Sequence, residues 1–152
     1  MSNIRVVVAD DHAVVRNGVR MLIGSAGDLE VVGEAANGAE AAAQVQAQQP
    51  DLLVLDLTMP DTDAMGLIES LHKDYPEMRI LVLTMHDDPA YCRAALGAGA
   101  AGYVLKSAVD TELLAAIRQV LAGGPAIDER FLANAVPDGK NLPGTERLSG
   151  RE

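Results

Sequence analysis

The hydrophobic positions of the first 121 residues alternate between two spacings. Short apolar runs at Ile4–Ala9, Leu52–Leu55 and Ile80–Leu83 suit strands that are covered on both faces. Glu30–Ala35 and Ala101–Leu105 are predicted to be flanking strands, and the more polar Glu30–Ala35 is expected at an edge. Segments with helical spacing separate these runs, so strands and helices are predicted to alternate.

Five helices are predicted, and three of them carry recognisable start signals. The signals are a capping box of Asn37 and Glu40, an Asp88 N-cap followed by Pro89, and a second capping box of Ser107 and Asp110. Residues 13–24 and 63–74 supply the other two helices. Five strand–helix units predict an α/β fold with a parallel sheet between two helical layers. We expect a flavodoxin-like, doubly wound sheet of order 2-1-3-4-5, with functional groups at the carboxyl ends of its strands.

Composition and charge limit the classes of protein that fit this pattern. The 152 residues are 49% hydrophobic and 22% charged, which is typical of a globular chain. The apolar runs are too short to span a bilayer, no signal peptide precedes the first strand, and Cys92 alone cannot form an internal disulfide. We therefore expect a cytoplasmic protein without a membrane partner. The net charge of −10 lies mostly in residues 1–121, which disfavours DNA binding by this part.

The chain changes character after residue 122. Glycine and proline punctuate residues 123–145, which predicts a linker with one short helical candidate at Asp128–Ala135. Residues 146–152 resemble the beginning of a further element. The predicted division is therefore a domain at 1–122, a linker at 123–145 and the start of a second unit at 146–152.

Carboxylates follow two strands that the predicted order makes neighbours. Asp10 and Asp11 end the first strand, and Asp56 ends the third. Three clustered carboxylates repel one another unless a cation joins them, and an oxygen-rich site suits Mg²⁺ or Mn²⁺. Taken singly, Asp11 is equally explained as a helix N-cap and Asp56 as a polar residue at a strand end.

Two further strand ends carry complementary groups. Thr84 ends the fourth strand and Lys106 ends the fifth. A threonine at a strand end or a lysine on a surface is usually unremarkable. Together with the carboxylates, however, a hydroxyl and an ammonium form a set suited to phosphoryl transfer onto an aspartate, whose carboxylate can attack phosphorus.

These motifs resemble the receiver domain of two-component response regulators. The resemblance covers residues 3–121 and rests on four segments: Asp10-Asp11-His12, Asp56-Leu57-Thr58-Met59-Pro60, Leu83-Thr84, and Gly102-Tyr103-Val104-Leu105-Lys106. The resemblance implies a signalling domain rather than an enzyme, with a sensor histidine kinase as partner and a homodimer on activation. It also implies that the domain assists its own phosphotransfer and dephosphorylation.

The resemblance assigns roles to individual residues. Asp56 would be the phosphoacceptor. The groups that would bind the metal ion are Asp11, Asp56 and the Thr58 carbonyl directly, and Asp10 through water. Thr84 and Lys106 would contact the phosphoryl group, and Thr84 with Tyr103 would form a switch pair. Without the resemblance, Tyr103 is a packed strand residue whose hydroxyl reaches solvent.

The flanking residues are similar to those of the NarL/FixJ branch, whose members carry a LuxR-type helix-turn-helix domain. Leu148-Ser149-Gly150-Arg151-Glu152 matches the opening of that domain. The natural protein is thus expected to be longer than this chain and to bind DNA only through that C-terminal domain.

Three features near the predicted site depart from or add to the pattern. Met85 follows the switch threonine where many receivers have a small residue, which predicts restricted access to Asp56. Ser107 follows Lys106 where many receivers have proline, so a cis bond is not assumed. His12 and His86 border the site and are interpreted as surface or supporting residues.

Three alternatives remain at this stage. A haloacid-dehalogenase-type phosphatase needs a second acid where Thr58 stands, and its nucleophile follows the first strand. A flavodoxin needs a phosphate loop after the first strand and aromatic rings to stack its flavin. The third alternative is a receiver that acts without phosphorylation.

Overall fold

A computed structural model describes residues 3–85 and 88–127. The strands are β1 (Ile4–Ala9), β2 (Leu29–Ala35), β3 (Leu52–Asp56), β4 (Arg79–Thr84), β5 (Gly102–Leu105) and β6 (Ala126–Ile127). The helices are α1 (Ala13–Gly24), α2 (Gly38–Gln48), α3 (Ala64–Asp74), α4 (Pro89–Ala98) and α5 (Val109–Leu121), with a 3₁₀ turn at Lys106–Ala108. None of the helices in these ranges is long and apolar enough to cross a membrane.

The strands form one parallel sheet of order β2-β1-β3-β4-β5-β6. The predicted flavodoxin-like order 2-1-3-4-5 and the edge position of β2 are confirmed. The structure adds β6, which pairs with β5 and lies within the segment predicted to be a linker. Residues 128–145, which include the helical candidate, and residues 146–152 lie outside the described residues, so the predicted domain boundaries stay predictions.

Alternation of side chains along the strands builds a core on each face of the sheet. Val7 and Leu53 belong to the core beneath α2, α3 and α4, whereas Val6 and Leu52 belong to the core beneath α1 and α5. Every residue of β3 is at most 1% exposed. The central strand is therefore rigidly packed, and its last residue, Asp56, is held in a fixed position.

Two of the three predicted helix start signals are confirmed. The Asn37 side chain accepts a hydrogen bond from the Glu40 amide at 2.8 Å, and Asp88 accepts one from the Ala90 amide at 2.9 Å. The prediction that Ser107 opens a capping box is wrong, because the 3₁₀ turn delays the start of α5 until Val109.

Asp11 is likewise not the cap of α1. His12 occupies the N-cap position, and no side chain caps this helix. The structural explanation that competed with a functional role for Asp11 is thereby removed.

Candidate functional site

The register of the sheet brings the strand-end polar residues to one edge. Ala9 pairs with Leu55, so the next residues, Asp10 and Asp56, follow at the same level. Thr84 pairs with Leu105 in the same way, which places Lys106 directly beyond it. Asp10, Asp56 and Thr84 are the buried polar residues among those described, each at most 1% exposed. Burying such groups is costly, so their presence together indicates a function.

The loop after β1 is fixed by hydrogen bonds around Asp10. Its Oδ1 accepts from the His12 amide at 2.8 Å, and its backbone oxygen accepts from Arg16 Nη1 at 2.6 Å. Arg16 also pairs with Glu34 across the surface at 3.0 Å. These contacts hold the Asp10 and Asp11 carboxylates near Asp56.

Lys106 provides the positive charge between the two buried carboxylates. Its Nζ lies 2.9 Å from Asp10 Oδ2 and 3.3 Å from Asp56 Oδ2, and its side chain is 8% exposed. Both contacts are ion pairs by distance, yet their angles fall outside those of hydrogen bonds. The lysine thus offsets charge without saturating either carboxylate.

The donor set fits a divalent ion. Ligand atoms from Asp10, Asp11, His12 and Asp56 all lie within 4.8 Å of one another. Among the described residues, Asp10 Oδ2, Asp11 Oδ1 and Asp56 Oδ2 are buried oxygens without a hydrogen-bond partner. Unsatisfied carboxylate oxygens around a small space are the ligands that Mg²⁺ or Mn²⁺ prefers.

Thr58 supports the Asp56 carboxylate. Its amide and its hydroxyl both donate to Asp56 Oδ1, each at 3.1 Å. Oδ1 is therefore held by the loop after β3, while Oδ2 faces Lys106. The predicted use of the Thr58 carbonyl as a metal ligand stays a prediction.

Thr84 and Tyr103 meet inside the domain. Both are 0% exposed, and their side chains are hydrogen-bonded to each other. Burial raises the pKa of the Tyr103 phenol above its ordinary value of 10.0, and the hydrogen bond with Thr84 offsets part of this effect. The alternative that the Tyr103 hydroxyl reaches solvent is wrong, because the ring packs in the core beneath α2, α3 and α4.

The departures from the family pattern have separate outcomes. Met85 is 70% exposed at the end of β4, and the predicted restriction of access to Asp56 stays a prediction. No peptide bond in residues 3–85 and 88–127 is cis. His86 lies outside the described residues.

His12 is the residue whose position sequence reasoning underestimated. The sequence predicts a surface or supporting residue at this position, and the His12 side chain is indeed 57% exposed. Its Nδ1 nevertheless lies 3.2 Å from Asp11 Oδ1. The direct succession Asp-Asp-His is the signal that could have identified it.

Comparison with known proteins identifies the family. The profile of the response regulator receiver domain matches residues 6–118. The chain belongs to this family. Receiver domains are signalling domains rather than classical enzymes, so the match decides against the phosphatase and flavodoxin alternatives.

Known relatives place the receiver within the NarL/LuxR branch, as predicted. "Oxygen regulatory protein NreC" of Staphylococcus carnosus is 42% identical over 147 residues, which cover 95% of this chain and 67% of NreC. The receiver chain thus spans about two thirds of the length of this curated relative.

Solved structures agree with this placement. A LuxR-family two-component response regulator from Aurantimonas sp. superposes with a TM-score of 0.83 at 36% identity, covering 88% of this chain and 96% of that one. The signal receiver domain of NarL from Mycobacterium tuberculosis gives 0.75 at 37% identity, covering 81% and 99%.

Proposed function

We propose that Asp56 is the phosphoacceptor of this receiver domain and that a sensor histidine kinase supplies the phosphoryl group. The observation that carries the proposal is the state of Asp56 Oδ2, which is buried, lies 3.3 Å from Lys106 Nζ and lacks a hydrogen-bond partner among the described residues. Such an oxygen keeps a lone pair for attack on phosphorus.

The proposed phosphoryl transfer forms one bond and breaks one. An Asp56 oxygen forms a bond to phosphorus while the bond from phosphorus to the histidine nitrogen of the kinase breaks, and the electron pair leaves with that nitrogen. Lys106 offsets charge on the transferring oxygens, and Thr84 ends the neighbouring strand where its hydroxyl can contact them.

Asp10, Asp11, Asp56 and the Thr58 carbonyl are the groups that would hold a Mg²⁺ or Mn²⁺ ion. When bound, the ion would neutralise charge that develops on the phosphoryl oxygens. Asp10 and Asp56 are already fixed by His12, Thr58 and Lys106, so these oxygens need little rearrangement to accept it.

The switch follows from the contact between Thr84 and Tyr103. A phosphoryl group on Asp56 gives the Thr84 hydroxyl a new, charged partner. Any movement of Thr84 changes its hydrogen bond with Tyr103, whose backbone pairs with β6. Phosphorylation would thereby shift the population of states at the surface of α4, β5 and α5.

The output of this switch would lie outside the receiver. We infer that the full-length protein binds DNA through a C-terminal LuxR-type domain, and that a homodimer forms on activation. The acidic charge of residues 1–121 supports this division, because it disfavours direct contact with phosphate backbones.

Intact-mass analysis tests the phosphoacceptor. Wild type, Asp56→Ala and Asp51→Ala are incubated with Mg²⁺ and a small acyl phosphate. Asp51 is the matched control, since it is an exposed aspartate at the opposite end of β3. We expect one phosphoryl adduct on wild type and Asp51→Ala and none on Asp56→Ala. An equal adduct on Asp56→Ala would sink the assignment.

A kinase assay covers the case in which the small donor does not react. If Met85 restricts access, a phosphorylated histidine kinase domain should still label wild type and leave Asp56→Ala unlabelled. Absence of labelling with both donors would favour a receiver that acts without phosphorylation.

A further inference from the structure

His12 lies at the edge of the carboxylate cluster and contributes a different kind of donor. Its Nδ1 is 3.2 Å from Asp11 Oδ1 and 3.5 Å from Asp10 Oδ1. Adjacent ligands of an octahedral ion with bonds of about 2.1 Å are roughly 3 Å apart. The distances from the nitrogen to each of these oxygens are therefore close to those between neighbouring ligands of one ion.

The position of His12 is set by the backbone. The His12 amide donates to Asp10 Oδ1 at 2.8 Å, and the His12 carbonyl accepts from the Arg16 amide at 2.9 Å as α1 begins. Because the backbone is anchored on both sides of the residue, the Cα atom of His12 is held next to the carboxylates, and only the side-chain torsions remain to be fixed when the ring binds an ion.

The two carboxylate oxygens of Asp10 face different partners. Oδ2 faces Lys106, whereas Oδ1 is directed towards His12. His12 and Lys106 therefore contact different oxygens of the same carboxylate. A metal ion that uses Asp10 Oδ1 can bind beside His12 without displacing the lysine.

Independent evidence for a ligand comes from a buried oxygen of Asp11. Asp11 Oδ1 lies 3.2 Å from His12 Nδ1, takes no part in the ion pairs of Lys106, and has no hydrogen-bond partner in the part of the chain that the structure describes. Buried polar atoms of this kind require a partner, and a cation would supply one.

We propose that His12 Nδ1 is an additional ligand that allows this site to bind nitrogen-preferring ions such as Co²⁺, Ni²⁺ or Zn²⁺ more tightly than Mg²⁺. Imidazole suits these ions, whereas Mg²⁺ prefers oxygen and retains its waters. The inference rests on the proposed function in one respect, namely that the same carboxylates hold the ion.

Calorimetric titration of the unphosphorylated chain tests the proposal. Co²⁺ and Mg²⁺ are titrated separately into wild type, His12→Ala and His72→Ala, the last being a matched control in the final turn of α3. His12→Ala should weaken Co²⁺ binding at least tenfold and Mg²⁺ binding less than twofold, while His72→Ala should change neither. Unchanged Co²⁺ binding, or an equal loss for both ions, overturns the inference.

His86→Ala belongs in the same series. A loss of Co²⁺ affinity in His86→Ala, with none in His12→Ala, would show that His86 supplies the nitrogen ligand and would overturn the proposal. Retention of wild-type Co²⁺ affinity in His86→Ala supports it.

Pulsed electron paramagnetic resonance gives a direct readout of the ligand. With one equivalent of Cu²⁺, the ¹⁴N modulation of a coordinated imidazole should appear in wild type and His72→Ala and disappear in His12→Ala. Modulation that persists in His12→Ala overturns the proposal.

Neither the calorimetric titration nor the resonance measurement uses phosphorylation. Failure of wild type to bind Mg²⁺ would contradict the metal dependence of the proposed function. A Co²⁺ affinity that is the same in wild type and His12→Ala would contradict this inference alone.

Discussion

Charged side chains at the two ends of the sheet differ in their burial and in their hydrogen bonding. At the amino ends of the strands, Asp28 and Arg118 form two hydrogen bonds of 2.6 Å while their side chains remain 56% and 45% exposed. At the carboxyl ends, the side chains of Asp10, Asp56 and Lys106 are buried, and no hydrogen bond joins Lys106 Nζ to either carboxylate.

This difference indicates which charged side chains are retained for function. Exposed and fully paired charges are solvated in the unfolded chain too, so they contribute little to folding. Buried and incompletely paired charges carry a desolvation cost, and proteins retain them where a ligand or a reaction needs them. Changes at the carboxyl ends should therefore have large effects, and similar changes at the amino ends small ones.

The largest effect is expected from Lys106→Met. The substitution keeps much of the side-chain volume but leaves Asp10 and Asp56 without their cation. Removing one partner of a buried ion pair costs roughly 3 kcal/mol, so the free energy of unfolding should fall by about that amount in metal-free buffer. Chemical denaturation measures this. A loss below about 1 kcal/mol would show that the pair is already solvated.

A smaller effect of opposite sign is expected from Asp56→Asn. Asparagine keeps the acceptor for Thr58 but removes one of the carboxylates around a single ammonium. The free energy of unfolding should rise by about 1 kcal/mol in metal-free buffer, because like charges no longer repel in a buried site. Denaturation with and without a chelator is the measurement.

Asp51→Asn is the matched control at the opposite end of β3. The exposed Asp51 carboxylate accepts a hydrogen bond from the Arg5 amide at 2.9 Å, and asparagine can also accept that bond. The free energy of unfolding of Asp51→Asn should stay within about 0.5 kcal/mol of the wild-type value. If both asparagine variants gained stability equally, the contrast between the two ends would be wrong.

The smallest effect concerns Asp28 and Arg118. The hydrogen bond from Arg118 lowers the pKa of Asp28 below its ordinary value of 3.8. A lowered folded-state pKa adds stability that is present above about pH 4 and is lost as the pH falls through the folded value. NMR titration of the Asp28 carboxyl should show this pKa, and Arg118→Ala should return it towards 3.8. If the pKa of Asp28 were the same in wild type and Arg118→Ala, the Asp28–Arg118 pair could no longer serve in this comparison.

The sequence was sufficient for the order of β1 to β5 and for the meeting of Asp10, Asp56, Thr84 and Lys106. Parallel strands with buried faces have their carboxyl ends at one edge, so residues that end them are brought together by topology alone. Contacts within the site depend on distances that no periodicity encodes. The ring of His12 beside Asp11 is an example.

Local signals misled where another local structure competed. Ser107 and Asp110 have capping-box spacing, yet a 3₁₀ turn occupies Lys106–Ala108 and moves the start of α5. β6 gave no signal because two residues after a Gly-Gly-Pro turn cannot show a period. Its formation depends on the free edge of β5, which is a property of the folded sheet.

The brevity of β6 has a mechanical consequence. Two residues add few backbone hydrogen bonds, among them that from the Ala126 amide to the Ala101 carbonyl at 3.3 Å, so detaching them requires only a small part of the global unfolding energy. The backbone of Ala126 and Ile127 is thus held to that of Gly102 and Tyr103 by a short pairing. A strand of two residues separates from its neighbour more readily than a longer strand does. The change at Tyr103 proposed above would therefore act first on β6, which this short pairing joins to β5.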